Sequence, residues 1–264
     1  MLVWSRRWQR AIRVVTLAVI LLVFVLPFVV IVVASFAGQW NGVLPSDMGV
    51  QNYVHPTADV TGALVVSLVT AFSATVAANV FGGWAALVAR RFGRGVRRSL
   101  DVVYFMPIAV PSVVIGLSLL VAYSEPPVVL DGQAVLVIIA HTVIITPFAY
   151  SAISAGLAQL DPAYEQVAGN LGASPARVLT RVTLPLVLPS VMAGAALCFA
   201  LSIGELGATS MVYPPTWQTM PVNIYSLAER GYYLGAAELS VVLLATALVV
   251  LVLSLRVRTR AVVR

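Results

Sequence analysis

The chain carries few side chains suited to covalent, redox or metal chemistry. Its 16 basic residues are all arginine, so the lysine that a P-loop or a Schiff-base enzyme requires is absent. A single cysteine, Cys198, cannot form an internal disulfide, and two histidines, His55 and His141, cannot supply three imidazole ligands to zinc. We therefore expect no catalytic residue, no metal and no cofactor, and any ATP that powers this protein must be hydrolysed by another subunit.

Glu205 is the acid that the sequence places within an apolar segment, at residues 201–210. A carboxylate at bilayer depth costs roughly 2.5–3.5 kcal/mol, so it should face a cavity, water or a partner and not lipid. We expect it to line a translocation path together with Ser202, Gly204 and Thr209. The alternative is that Glu205 pairs with backbone donors or a neighbouring helix and only fixes packing. His141, also in an apolar segment, is expected to form hydrogen bonds between helices.

The elements that must position these residues are membrane helices. The 264 residues are 60% hydrophobic and only 10% charged, whereas soluble domains are about a quarter charged. Six stretches reach the roughly 20 apolar residues of a spanning helix: 14–36, 61–89, 100–122, 134–156, 186–212 and 236–255. The first is too long for a cleaved signal peptide. We predict an all-α polytopic membrane protein, with one six-helix domain at 14–255 between basic segments at 1–13 and 256–264.

The arginines predict how these helices are oriented. Fifteen of the 16 fall before span 1, between spans 2 and 3, between spans 4 and 5, or after span 6, and basic residues are retained on the cytoplasmic side. Both termini are therefore predicted to be cytoplasmic. The opposite loops hold one arginine and the following acids: Asp47, Asp59, Glu125, Asp131, Glu229 and Glu238. Nucleic acid is not an expected partner, because the arginines are split among short segments that alternate with apolar spans.

The predicted cytoplasmic loop at 161–185 contains two helix-start signals. Asp161 precedes Pro162, with Glu165 in the first turn, and Ser174 precedes Pro175 in the same way. Gly172 suits a helix end between them. The pattern predicts a short amphipathic helix, a turn and a second short helix, an element shaped to fit a groove on another protein.

This loop resembles the cytoplasmic signature of permease subunits of ATP-binding-cassette importers. That signature is a Glu-Ala-Ala triplet, a glycine six residues after its Glu and a Leu-Pro thirteen residues further on. Gly172 and Leu184-Pro185 keep the spacing, but the triplet is Gln166-Val167-Ala168, with Glu165 one residue earlier. The resemblance implies a coupling helix seated in a cleft of the ATPase. The residues it assigns to this contact are Tyr164, Glu165, Gln166, Ala168, Gly172, Ala173, Ser174, Leu184 and Pro185.

The resemblance extends along the chain and implies a type I importer permease in the plasma membrane. The Gly-Glu-Leu-Gly-Ala-Thr string at 204–209 is similar to the fifth-helix motif of permeases for oxyanions, ferric iron, thiamine and phosphonates. The Tyr-Pro-Pro-Thr-Trp string at 213–217 is most similar to 2-aminoethylphosphonate permeases. The implied partners are two ATPase subunits, a second permease of the same or a paralogous kind, and an external solute-binding protein.

An ion-coupled secondary transporter is the alternative function. Proteins of that class usually carry several intramembrane ionisable groups and an internal repeat, and the sequence offers one such group, Glu205, with no repeat visible. A membrane-embedded serine protease is disfavoured, because the nucleophile motif is missing.

Overall fold

The computed structural model describes residues 5–56 and 58–262, with the backbone alone at residue 6 and residues 253–262. Its helices are α1 (Arg6–Ile20), α2 (Leu26–Ser35), α3 (Gln51–Val54), α4 (Val60–Arg91), α5 (Arg94–Ala109), α6 (Ser112–Ala122), α7 (Ala134–Gln159), α8 (Pro162–Asn170), α9 (Pro175–Val178), α10 (Leu184–Ile203), α11 (Thr209–Val212), α12 (Met220–Glu229) and α13 (Tyr233–Val262). Two π-helical turns, Leu21–Val25 and Leu179–Thr183, join α1 to α2 and α9 to α10. The strands are β1 (Ala37–Gln39) and β2 (Ser46–Met48).

The described part of the chain has six segments long and apolar enough to span a membrane when a bent pair of helices is counted as one. The five continuous ones are Arg7–Ser35, Val60–Arg91, Ala134–Gln159, Pro175–Ile203 and Tyr233–Val252. The sixth is α5 with α6, which meet at an angle of 104°. The predicted all-α polytopic class is confirmed, because the length and hydropathy of each segment decide whether it can cross a bilayer.

The prediction of a single helix at 100–122 was wrong. The helix ends at Ala109, and a new one begins at Ser112 after the sharp bend. Two prolines explain the break, since Pro107 and Pro111 lack the N–H that would continue the helical ladder. Val110, which precedes Pro111, takes the extended conformation (φ −103°, ψ 130°) that proline favours in its predecessor.

The predicted fifth span, 186–212, was also misplaced. The helical segment starts at Pro175, continues through the Leu179–Thr183 π turn and ends at Ile203. The expected second short helix after Ser174 is therefore the first turn of this span. Pro185 explains the π turn, because it has no N–H to bond the carbonyl four residues back, and the wider turn accommodates that loss. Glu205 consequently lies beyond α10 and not inside a helix.

The chain divides into two compact units, and the larger comprises Thr61–Val222 and Ala245–Arg264. In it α7 packs against α4 and α10, with α5, α6 and α11 also in contact with α7. Small side chains allow the helices to approach closely. The buried residues that α4 contributes to this core are Ala74, Ala78, Ala85, Ala86 and Ala89. The opposing residues of α7 include Ile145, Ala149, Tyr150, Ile153 and Leu157.

The segment that follows α11 is tied to the start of α4. The indole N–H of Trp217 donates to the Thr70 hydroxyl at 2.9 Å. The backbone N–H of Met220 donates to the Ser67 hydroxyl at 2.7 Å. The aromatic and proline-rich string at 213–217 is therefore folded back onto the body of this unit.

The smaller unit comprises Met1–Val60 and Asn223–Leu244. Its β1 and β2 pair antiparallel, with Ala37 opposite Met48. The hairpin and α3 fold onto the end of α2, where the Asn52 side-chain amide donates to the carbonyls of Ser35 and Ala37, each at 3.0 Å.

Candidate functional site

The loop at 161–185 begins with a capped nine-residue helix, α8. Asp161 Oδ1 accepts the N–H of Ala163 at 2.9 Å, which fixes its first turn. At the other end Gly172 has φ +82°, and the N–H of Ala173 reaches the carbonyl of Ala168 at 3.1 Å. This is the left-handed helix ending that glycine supports without strain. Ser174 Oγ then accepts the N–H of Arg177 at 3.4 Å, at the start of α9.

An apolar stripe lies exposed along α8 and its C-terminal end. It consists of Tyr164, Val167 and Leu171, whose exposures are 57%, 57% and 84%. Their spacing of three and four residues places them on one side of a helix. Exposed apolar side chains contiguous on a short helix are typical of a surface that docks into a groove of a partner.

Glu165, a predicted contact of the ATPase, points into the molecule. Its Oε1 lies 2.9 Å from the Arg90 guanidinium at the end of α4. The same oxygen accepts the Thr183 hydroxyl at 2.5 Å, at the end of the π turn. One carboxylate therefore joins α8 to two spanning segments, and the two charged side chains are 25% and 32% exposed. We call these three residues the Glu165 clamp.

The other predicted contact residues are scattered around this element. Gln166, at the position of the family acid, is exposed, as are Gly172 and Ser174, whereas Ala168 and Ala173 are half-buried. Leu184 and Pro185 lie on α10, beyond the loop.

The clamp predicts a measurable restraint on α8. Arg90→Gln should speed amide hydrogen exchange across Pro162–Asn170 about fivefold, because a partly buried ion pair contributes roughly 1 kcal/mol. Glu165→Gln should have a similar effect, and the double variant should exchange no faster than the singles, which is the signature of a shared interaction. Arg98→Gln, which removes an exposed arginine of α5, is the matched control. Unchanged exchange in Arg90→Gln would show that the ion pair does not restrain the helix.

Glu205 holds the break between α10 and α11. Its Oε1 accepts the N–H of Ala208 at 2.9 Å, and its Oε2 accepts the N–H of Thr209 at 3.1 Å. The Thr209 hydroxyl donates to Oε2 at 2.8 Å. The carboxylate thus satisfies the free donors at the start of α11, which stabilises both the short helix and the turn before it.

His141 extends this hydrogen-bond network from α7. Its Nδ1 lies 2.7 Å from Ser202 Oγ, and its Nε2 lies 2.7 Å from Thr209 Oγ1. Because Thr209 donates to Glu205, its oxygen accepts from Nε2–H, and Nδ1 then accepts from the Ser202 hydroxyl. A neutral imidazole and an ionised carboxylate therefore satisfy every member of the chain. His141 forms hydrogen bonds between helices, as the sequence predicts.

The break also packs tightly against α6. A Cβ on Gly116 would lie 2.6 Å from the carbonyl oxygen of Ala208, and a Cβ on Gly207 would collide with the Ser112 hydroxyl. Glycine at both positions lets the segment between α10 and α11 approach the helix that follows the bend. Of the predicted path residues, Ser202 and Thr209 are buried, the side chain of Glu205 is largely buried and Gly204 is exposed.

Glu238 is an acid for which the sequence predicts a place in an outer loop. The structure places it in α13, within the span Tyr233–Val252, where it is 1% exposed. Its position inside the apolar stretch 236–255 is the feature of the sequence that could have predicted this burial.

Within residues 5–56 and 58–262, no three His, Cys, Asp or Glu side chains converge as a metal site would require.

The spans and the α8 loop define a class of protein, the membrane-spanning permease subunit of an ATP-binding-cassette importer. Residues 78–264 match the model of the family described as binding-protein-dependent transport system inner membrane component, and the chain belongs to that family. It is 41% identical over 261 residues, 98% of each chain, to a protein of Salmonella typhimurium strain LT2 provisionally named 2-aminoethylphosphonate transport system permease protein PhnV.

Two further comparisons agree on the class and the fold. The putrescine transport system permease protein PotI of Escherichia coli K12 is 31% identical over 204 residues, which cover 75% of this chain and 69% of PotI. A bacterial ABC transporter involved in the import of the acidic polysaccharide alginate matches with a TM-score of 0.77 at 17% identity, over 97% of this chain and 99% of that one. The predicted family, the type I permease fold and the multi-pass inner-membrane location are confirmed.

Proposed function

We propose that this chain is one of two permease subunits in an importer driven by two separate ATPase subunits and supplied by an external solute-binding protein. The observation that carries the proposal is α8, a capped helix that presents the apolar stripe and is fixed to the spanning helices by the Glu165 clamp. Both termini and the 161–185 loop are cytoplasmic in this proposal, as the arginine distribution predicts. The second permease is a copy of this chain or a paralogue.

The solute we propose is 2-aminoethylphosphonate or a similar phosphonate or oxyanion. Support comes from the 41% identity to a relative with that name along nearly the whole chain, against 31% over three quarters of the chain for the putrescine permease. The Tyr-Pro-Pro-Thr-Trp string and the Gly-Glu-Leu-Gly-Ala-Thr string point in the same direction.

We place the translocation path beside the break between α10 and α11. Gly204 is exposed there and borders the path, with Glu205, whose side chain is 8% exposed, next to it. Ser202 and Thr209 are buried behind them and support the break through His141. Irregular backbone at membrane depth is tolerated where protein buries it or where it lines an aqueous cavity, so the exposed side of this break should face the path.

Reconstitution of the complete transporter tests the function. With permease, ATPase and binding protein in liposomes, labelled 2-aminoethylphosphonate should accumulate only with ATP, and accumulation should persist when proton and sodium gradients are collapsed. Excess unlabelled 2-aminoethylphosphonate should compete, and putrescine should not. Uptake driven by an ion gradient without ATP would establish the secondary transporter instead. Uptake of putrescine in preference would retain the importer and overturn the solute.

A further inference from the structure

An apolar groove runs along α4 where it faces α7 and α10. Its volume is about 540 Å³. Six of its lining residues are Trp84, Leu87, Val88, Leu184, Val187 and Val191. Asn79 closes one end and Arg91 the other, and all of these residues belong to the larger compact unit.

The length of the groove matches one leaflet of a bilayer. From Asn79 to Arg91 the helix advances about 18 Å at roughly 1.5 Å per residue. Half of the roughly 30 Å hydrocarbon core is about 15 Å, so a groove that starts at the interface ends near the membrane centre. The charged Arg91 end and the apolar residues beyond it follow the order of a lipid headgroup and its acyl chain.

A second cavity of about 320 Å³, more polar than the groove, adjoins the Arg91 end. It lies beneath α8, and it shares Leu87, Arg91, Leu179 and Thr183 with the groove. Its charged lining residues are Arg90, Arg91 and Glu165. Because Arg90 and Glu165 neutralise each other, one positive charge remains, that of Arg91. Its guanidinium has no hydrogen-bond or ion-pair partner among the residues that the structure describes.

The apolar lining and the positive charge at one end favour a lipid over an apolar protein helix as the occupant. A protein helix is about 10 Å across with its side chains. An acyl chain is narrower, and the positive charge at the interfacial end complements a phosphate. Basic pockets between spanning helices on the cytoplasmic side are typical binding sites of anionic headgroups.

We propose that the groove binds one anionic phospholipid of the cytoplasmic leaflet, with an acyl chain between α4 and α10 and its phosphate at Arg91. The inference rests on the proposed function for its assignment of the cytoplasmic side. The headgroup then lies under α8, beside the Glu165 clamp. A lipid bound there would fill the space between α8, the proposed coupling helix, and the spanning helices that α8 would move.

Native mass spectrometry of the whole transporter, released from membranes of mixed phosphatidylglycerol and phosphatidylcholine, tests the site. The wild type should retain phosphatidylglycerol in preference to phosphatidylcholine. Arg91→Gln should weaken that retention about fivefold, the effect expected of one basic residue near an anionic headgroup. Arg98→Gln removes the same charge outside the groove and should change nothing. Val88→Trp, which obstructs the groove without altering charge, should reduce retention of both lipids.

Several outcomes would overturn the proposal. Equal losses in Arg91→Gln and Arg98→Gln would mean diffuse attraction to the membrane, and full retention in Val88→Trp would mean that the groove holds no chain. A photo-crosslinking residue at Val88 should gain the mass of a phospholipid, so a crosslink to another protein chain would identify a subunit as the occupant. These readouts do not depend on transport, so a failure of the proposed function would be seen separately, in the liposome assay.

Discussion

Replacing Val167 and Leu171 together by aspartate is expected to abolish association between this permease and its ATPase. Both side chains belong to the exposed apolar stripe, and full burial of one such side chain stabilises an interface by roughly 1.5–3 kcal/mol. Losing both contacts and placing two carboxylates in an apolar cleft should raise the dissociation constant by at least about 100-fold. Co-purification with the tagged ATPase and titration by light scattering would measure the loss.

The control for this prediction is a charge on the same helix outside the stripe. Asn170→Asp adds an acid with almost no change in shape and should weaken association less than about threefold, because exposed charges contribute little. Thermal unfolding should be unchanged in the double variant, since neither stripe residue is buried within the chain. Normal ATPase association in Val167→Asp, Leu171→Asp would show that α8 is not the docking element and would remove the main support for the coupling assignment.

Replacing Glu205 by alanine should both destabilise the protein and stop transport. Two backbone N–H groups and the Thr209 hydroxyl would lose their acceptor at a largely buried position. Unsatisfied buried donors cost roughly 1–3 kcal/mol each, so we expect a total near 3 kcal/mol and a fall in the unfolding midpoint of roughly 6–12 °C. Uptake in liposomes should fall at least about tenfold, while ATPase association through α8 is retained.

Glu205→Gln separates the two roles that the sequence leaves open for this residue. The glutamine keeps one acceptor oxygen but turns an NH₂ group toward the donors on Thr209, so a structural cap predicts an intermediate loss of stability. Glu125→Gln, in an exposed loop of the same unit, should leave both stability and uptake unchanged. If either Glu205 variant is as stable as the wild type yet inactive, the carboxylate acts on the solute and its capping contacts are incidental.

The features that could be predicted from sequence are those that depend on neighbouring residues. Length and hydropathy decide where a chain can cross the bilayer. Asp161, Gly172 and Ser174 mark helix ends through hydrogen bonds between residues at most five positions apart in the sequence. The composition of the 161–185 loop was therefore enough to identify α8 and its family.

The features that escaped prediction depend on distant partners. Glu165 turns inward because Arg90, on a helix 75 positions earlier, meets its carboxylate. The role of Glu205 follows from the end of α10, and its link to His141 runs through Thr209, 68 positions from the imidazole. A proline within an apolar stretch can kink a helix or be tolerated, so Pro111 alone could not predict a bend of 104°.

The bend between α5 and α6 has a consequence for the order of membrane assembly. Residues 100–122 are apolar enough to enter the bilayer as one segment, and they precede the α10–α11 segment by about 90 residues. The contacts that hold α6 after the bend come from α7 and also from Gly207 and Ala208, which are made about 90 residues later in synthesis. Bent backbone in hydrocarbon must be covered by protein. The third span must therefore wait for the α10–α11 segment to emerge and dock before it takes its final form.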